Sequence, residues 1–474
     1  MQSAIAASHF GISGEMDAYN IAYNITTFIF SFFAAAITTI IIPSLVKGYY
    51  RSVNTFITVL IIILLICLGS LLTFRNSIVS LIGGQELYHI NLASDLLIIL
   101  LIGGFFRALT GFTNAIYQVN NKYIFPKFSQ LTSVTIAIII IVFSNNLTIF
   151  YFTAAISLGF IMDFIFQCFM IKKSIYTYIP NFRINDKEFR KMFKSILPIF
   201  ISTAFFQISI LIDTILASRL GEGNVSILSY SNQIVAMVNS LVLVNLIAFM
   251  YPQMAKLMKK DKVISQSNLQ KNVLLSTLIM LYIVLVYILL GRQAITIFFE
   301  RGSFNSNATD TVYFLSVLYF LSLPFSAVRD LIYRYFYGDN DTVTPLKNSL
   351  LVTLVKIFFS IVLCAVMGIK GIVFGTIIAS VASVVMITHR FNKKYTLTFN
   401  LKYTLIEVLK ISISGLFALT ISMGLDYFIT DMNLFLKVFV LLLISTLLYG
   451  GFCYIFRVNI FKESISNLLN LEGK

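Results

Sequence analysis

The sequence predicts an all-α polytopic membrane protein with about thirteen full transmembrane helices and a partial first helix. These form two parallel six-helix lobes followed by two C-terminal helices. Three observations predict it. Of the 474 residues, 58% are hydrophobic and 12% charged, with a mean hydropathy of +0.89, against the roughly 25% charged residues of soluble domains. Apolar runs of the ~20 residues needed to cross a bilayer recur almost end to end. The chain also repeats itself: Ala7-Ser8-His9-Phe10-Gly11 is echoed by Ala217-Ser218-Arg219-Leu220-Gly221, and each copy leads into an apolar segment closing on a proline, Pro43 or Pro252.

The elements follow in order. Residues 1–14 supply about half a span and read as the end of an incomplete helix, so the parent protein is expected to have fourteen. The first full crossing, 17–46, opens with Asp17, Asn20 and Asn24; 53–75 is rich in Ile and Leu; 90–119 carries Arg107; 127–145 and 149–172, with Asp163, complete an N-lobe over 1–172. The longest link, 173–193, holds Pro180 and the charged run Asn185–Lys191, read as a surface helix at the lobe boundary. The C-lobe, 194–391, contains 194–219, 227–256, 272–299, 309–337, 346–368 and 370–390. Each lobe has an even number of crossings, so the repeats are parallel, related by an axis along the membrane normal. The region 392–474 adds 405–428, 433–456 and a tail, none with a partner in the repeat.

A net charge of +15 invites a nucleic-acid reading, but the distribution excludes it. Of the 35 Lys and Arg, 25 fall in alternate connections, including Lys47 and Arg51, Lys122 and Lys127, 172–194, 256–271, 390–402 and the tail, whereas the intervening loops hold only Arg75, Arg219, Arg292, Arg301 and Lys370. This is the positive-inside pattern, with the C-terminus cytoplasmic and the region around Asp17 outside. Cys67, Cys168, Cys364 and Cys453 lie in apolar segments without CxxC spacing, and His9, His89 and His389 are scattered. No metal site, catalytic site or cofactor is therefore expected. The nucleotide motif GxxxxGK[ST] is absent, which argues against ATP-driven pumping.

Polar residues inside spans mark candidate function, since they are costly against lipid. Asn20, Asn24, Thr27, Ser31 and Thr38 fall within about 40° on one helix face. A matching stripe of Ser229, Asn232, Gln233, Asn239 and Ser240 lies in the second copy, and the preceding segment adds Gln207, Ser209, Asp213 and Thr214. Interhelical bonding is one reading of each residue and a shared substrate cavity is the other. Among the charges in spans, Arg107 and Arg329 are candidate phosphate ligands, since arginine bonds phosphate through two parallel N–H groups. Arg329 and Asp330 are each expected to pair with other helices.

Several motifs resemble a known family. Phe10-Gly11 with Asp17-Ala18-Tyr19, the Pro43 closure, Phe299-Glu300-Arg301-Gly302-Ser303-Phe304 and the run Phe336-Tyr337-Gly338-Asp339-Asn340-Asp341-Thr342-Val343-Thr344-Pro345 look like the MurJ/MviN lipid II flippases. These belong with the polysaccharide flippases and MATE exporters. The resemblance implies a fourteen-helix, two-lobed fold whose last two helices hold a polyprenyl tail. It also implies a monomeric bacterial plasma-membrane flippase, in contact with membrane lipids, that moves an undecaprenyl-diphosphate-linked saccharide of the peptidoglycan-precursor type by alternating access, aided by an ion or the membrane potential. Capsule, exopolysaccharide or O-antigen units are alternative cargoes, and a MATE-like small-molecule exporter is a further one. The family's cationic positions fall here at Gln2 and Ser3, near Phe30, and at Asn232-Gln233.

Overall fold

A computed structural model describes residues 2–83, 87–144, 146–171, 176–395, 400–428, 432–463 and 466, without side chains at 32, 34–36, 38–39, 87–88, 197–200, 202, 262 and 401. Met1, the first residues of the 173–193 link, the side chain of Thr38 and the tail from 467 lie outside that set. Sixteen α-helices and no strand occur among the described residues. Eleven helical stretches are long and apolar enough to cross a membrane.

The first seven helices are α1 (Gln2–Phe10), α2 (Gly14–Val46), α3 (Tyr50–Ile82), α4 (Leu87–Val119), α5 (Ile124–Val142), α6 (Ile149–Met170) and α7 (Lys187–Ser218). Short polar side chains set several starts by accepting orphan backbone N–H groups. Ser13 accepts from Met16 N, Thr148 from Tyr151 N, and Asp186 from Phe189 N. The last cap corrects the sequence reading of 185–191: this charged run is the lead-in and first turn of α7, not a separate surface helix. A solvated first turn and an apolar span belong to one helix, Lys187–Ser218, which runs through Pro198.

The second repeat begins with α8 (Asn224–Val238), continues through a π-helical turn (Asn239–Leu243) into α9 (Val244–Lys260), and is followed by α10 (Lys262–Phe298). The stretch expected as one crossing at 309–337 is one apolar span, Ser306–Gly338, in which a turn at 321–322 separates α11 (Ser306–Phe320) from α12 (Leu323–Gly338). Pro324, in the first turn of α12, has no N–H to continue the preceding ladder. Then come α13 (Val343–Met367), α14 (Ile369–Lys394), α15 (Leu401–Phe428) and α16 (Leu434–Ile455).

The chain forms two compact units, Met1–Ser226 with Gly302–Phe304, and Ile227–Arg301 with Asn305–Lys474. In the first, α4 packs between α2 and α6, and α7 lies along α2 and α3. In the second, α13 and α14 form an antiparallel pair, while α10 packs on α12, α15 and α16. Buried Leu274 and Leu285 of α10, Ile411 and Ala418 of α15, and Tyr449 and Cys453 of α16 make the core that holds the last two helices. The Tyr449 hydroxyl donates to the Leu278 carbonyl at 2.9 Å.

Candidate functional site

The end of the first unit that the loop charges assign to the outside carries two reciprocal helix caps. Asp17, in the first turn of α2, accepts from Gly223 N at 2.6 Å, Ser226 N at 2.6 Å and the Ser226 hydroxyl at 2.5 Å. It thereby satisfies the orphan N–H groups that open α8, where the helix dipole favours negative charge. Glu222 does the converse, accepting from Gly14 N of α2 at 2.6 Å. The approach is so close that a side chain on Gly223, at φ +83°, would lie 2.7 Å from the Ile12 carbonyl oxygen. Beside the caps is a cavity of about 630 Å³ lined in part by Ser80, His89, Ser218, Arg219 and Glu222. The turn Gly302–Phe304 belongs to the same unit. Its Ser303 donates from N to the Ser8 carbonyl and from Oγ to the His9 carbonyl.

The α2 stripe divides into bonded and unbonded members. Buried Asn20 donates to the Ser226 hydroxyl at 3.4 Å, and Asn24 donates to the Thr214 hydroxyl at 2.9 Å. Thr27 bonds back to the Tyr23 carbonyl of its own helix. The Ser31 hydroxyl is buried without a partner among the described residues. On α7, Gln207 and Asp213 are buried. On α8, Asn232 and Gln233 are both exposed, and Asn239 opens the π-helical turn. A π-helical turn within a span is a feature that recurs at functional sites.

The two candidate arginines differ in their neutralisation. Arg329 Nε is 2.7 Å from Asp330 Oδ1 of the same helix, so the expected pairing with other helices gives way to a pair within α12. Arg107 donates to the Tyr23 hydroxyl at 3.1 Å and lies 4.7 Å over the Phe160 ring. Among the described residues it makes no salt bridge. Phe30, where the family resemblance places a cation, is 4% exposed. Its ring rests on Gly104 of α4, where an added Cβ would come within 2.6 Å of it. Arg107 follows Gly104 by one helical turn.

The sequence reading missed the caps. Asp17 in the first turn of α2 reads as support for its own helix, and only the fold brings it to α8. The one available signal is the Gly221-Glu222-Gly223 run at the corresponding turn of the second copy.

The model of the family described as lipid II flippase MurJ matches residues 6–445. This chain belongs to the MurJ family. A "Probable lipid II flippase MurJ" of Rickettsia prowazekii is 27% identical over 280 residues, covering 58% of this chain and 55% of the relative. One from Buchnera aphidicola subsp. Baizongia pistaciae is 26% identical over 388 residues, covering 76% and 74%. The chain thus spans about half the length of the first MurJ relative and three quarters of the second. A solved structure titled "Lipid II flippase MurJ, inward closed conformation" has a TM-score of 0.81 at 24% identity, covering 96% of this chain and 95% of that one. An inward-facing multidrug resistance MATE family transporter of the MOP superfamily gives 0.71 at 15% identity, covering 84% and 96%. At these identities the two structures establish a shared fold alone. The MurJ family is one of multi-pass membrane transporters rather than catalysts.

Proposed function

We propose that this protein moves a lipid II-type undecaprenyl-diphosphate saccharide from the cytoplasmic to the outer leaflet of the bacterial plasma membrane, by alternating access. The family match over 6–445 carries this reading. The physical task is to take a charged, sugar-bearing head group across about 30 Å of hydrocarbon while its tail stays in lipid. In this reading the protein works as a monomer with its C-terminus cytoplasmic, and the repeat-related segments 1–172 and 194–391 are the lobes that rock. The exposed amides Asn232 and Gln233 offer hydrogen bonds to sugar. Arg107, held by Tyr23 and Phe160 and in no salt bridge among the described residues, is the phosphate anchor; Arg329, paired with Asp330, is secondary. An inside-negative potential of 100 mV would favour outward movement of the anion by about 2.3 kcal/mol per charge, with an ion as a further driving force.

One observation favours a second cargo, a capsule-type or exopolysaccharide unit on the same lipid carrier: Phe30, Asn232 and Gln233 stand where the resemblance places charges. Both readings are tested by a leaflet-exchange assay in vesicles with lipid II and, separately, a capsule-type lipid-linked glycan. Movement of the first alone supports the main reading and movement of the second alone supports the other. Movement of neither overturns both.

A further inference from the structure

The segment from Tyr176 to Asp186, which leads into α7, is strapped across the first turns of α3. Tyr176 donates its hydroxyl to Asn54 Oδ1, and the Tyr178 and Thr58 hydroxyls share a bond of 2.8 Å. Asn181 N donates to Thr58 Oγ1 at 3.2 Å, and the Ser52 hydroxyl donates to Asp186 Oδ2. That same Asp186 oxygen caps α7. Ser52, Asn54, Thr55 and Thr58 are all buried, so the hydroxyl-bearing face of α3 is the strap's seat. Directly after Thr58 the helix becomes an unbroken apolar run, Val59 to Leu68 apart from Cys67, with Ile62, Leu65 and Ile66 exposed. The strap therefore lies at the level where α3 passes from head groups to acyl chains, at the end that the loop charges place in the cytoplasm.

Its outward side is not built for water. Ile179, Phe182 and Ile184 are 62%, 63% and 56% exposed. Among them stands Arg183, followed by Lys187, Arg190 and Lys191, all exposed. Of the two carboxylates between 176 and 194, Asp186 is turned inward onto Ser52, leaving Glu188 against five cations. Apolar side chains alternating with cations at this depth match an interface that is oily on one side and anionic on the other. A soluble protein partner would meet the apolar residues only by displacing lipid from the same level.

We propose that the 176–186 strap is a membrane-surface anchor for anionic phospholipid, with Ile179, Phe182 and Ile184 entering the acyl boundary and Arg183, Lys187, Arg190 and Lys191 holding head-group phosphates. Because Asp186 both ends the strap and caps α7, the leaflet sets the depth at which α7 begins. The inference rests on the position and charge of the strap and is independent of the cargo.

The chain has no tryptophan, so Phe182→Trp introduces a sole indole on the strap, excited selectively beyond the tyrosine absorption. The full-length variant is placed in phosphatidylcholine vesicles with and without phosphatidylglycerol, each lipid in turn brominated near the glycerol end of its chains. Expected are blue-shifted emission, quenching by brominated lipid rather than by aqueous acrylamide, and stronger quenching by brominated phosphatidylglycerol than by an equal fraction of brominated phosphatidylcholine. Replacing Arg183, Arg190 and Lys191 with Gln should lower that preference, by up to about fivefold per charge at low salt. Emission typical of water with acrylamide quenching overturns the anchor, and equal quenching by the two lipids overturns its anionic preference. Unfolding at the parent's temperature verifies the fold, and Ile179→Trp repeats the measurement should Phe182→Trp unfold early.

Discussion

Replacing Asp17 with Asn should open the outer caps. The carboxylate uses both oxygens, Oδ2 for Gly223 N and Oδ1 for Ser226 N and its hydroxyl, at 2.5–2.6 Å. An amide in either orientation turns its NH₂ toward one of these donors, so at least one bond is lost and a donor faces a donor. A hydrogen bond to a charged group is worth about 1.5–3 kcal/mol, and the lost charge at the start of α8 adds about 0.3–1. Together these give about 2–4 kcal/mol, or roughly 30- to 1000-fold in any equilibrium that makes and breaks the cap, at 1.36 kcal/mol per tenfold. Ala18 is 0% exposed beside the cap. In a background lacking the four native cysteines, Ala18→Cys should be labelled by a membrane-impermeant thiol reagent only when the cap opens. Asp17→Asn should raise the labelling rate by that factor. An unchanged rate would show the caps to be static packing that does not open.

Three further outcomes follow from the same geometry. Asn232 and Gln233 are exposed, so changing both to Leu should leave thermal unfolding nearly unmoved while leaflet exchange falls; unchanged exchange removes them from the cargo path. Arg107→Gln should weaken cargo binding by about 10- to 150-fold, the worth of one charged hydrogen bond, while Arg329→Gln, whose partner is Asp330, should appear mainly as lost stability; the reverse order in a binding titration would reassign the anchor. In the turn before α13, burial pushes the Asp341 carboxyl up, but Lys394 Nζ at 2.8 Å and the N and hydroxyl of Thr344 outweigh it and bring it down to about 2. A depressed carboxylate stabilises above its unfolded value near 4 and loses that contribution as pH falls toward 2, here about 1 kcal/mol after solvent screening. Lys394→Met should remove most of that stabilisation and flatten the loss between pH 4 and 2, read by thermal unfolding; an unchanged profile refutes the pairing.

The spans were legible because lipid demands apolar runs of about 20 residues, a length that 53–75 and the other stretches reach. What escaped the sequence was where those runs bend and what they touch. Nothing local in Asn185–Lys191 distinguishes a surface helix from the solvated first turn of a crossing; the distinction lies in Asp186 capping a helix that continues without interruption. The break at 321–322 was written in Pro324, but proline is tolerated in spans often enough that it does not by itself divide one. The polar stripe on α2 was visible at helical spacing, whereas its division was not. Asn20 and Asn24 are bonded to Ser226 and Thr214, some two hundred residues away, and no spacing rule reaches that far.

The cation pattern is better understood as a rearrangement than as a loss. Phe30 stands near the place where the family resemblance puts a charge on α2, and it packs into the gap that Gly104 leaves on α4. A charged side chain at position 30 would be forced into that gap at 4% exposure, costing several kcal/mol. One turn further along α4, Arg107 carries a guanidinium that Tyr23, from the same α2 face, steadies by its hydroxyl. The pair of helices therefore still presents one cation beside the α2 stripe, supplied by the opposite partner. A phosphate needs a positive charge within reach and does not discriminate which helix bears it. On α8, Asn232 and Gln233 stand exposed where the resemblance places charges, so that helix offers amides to whatever it faces.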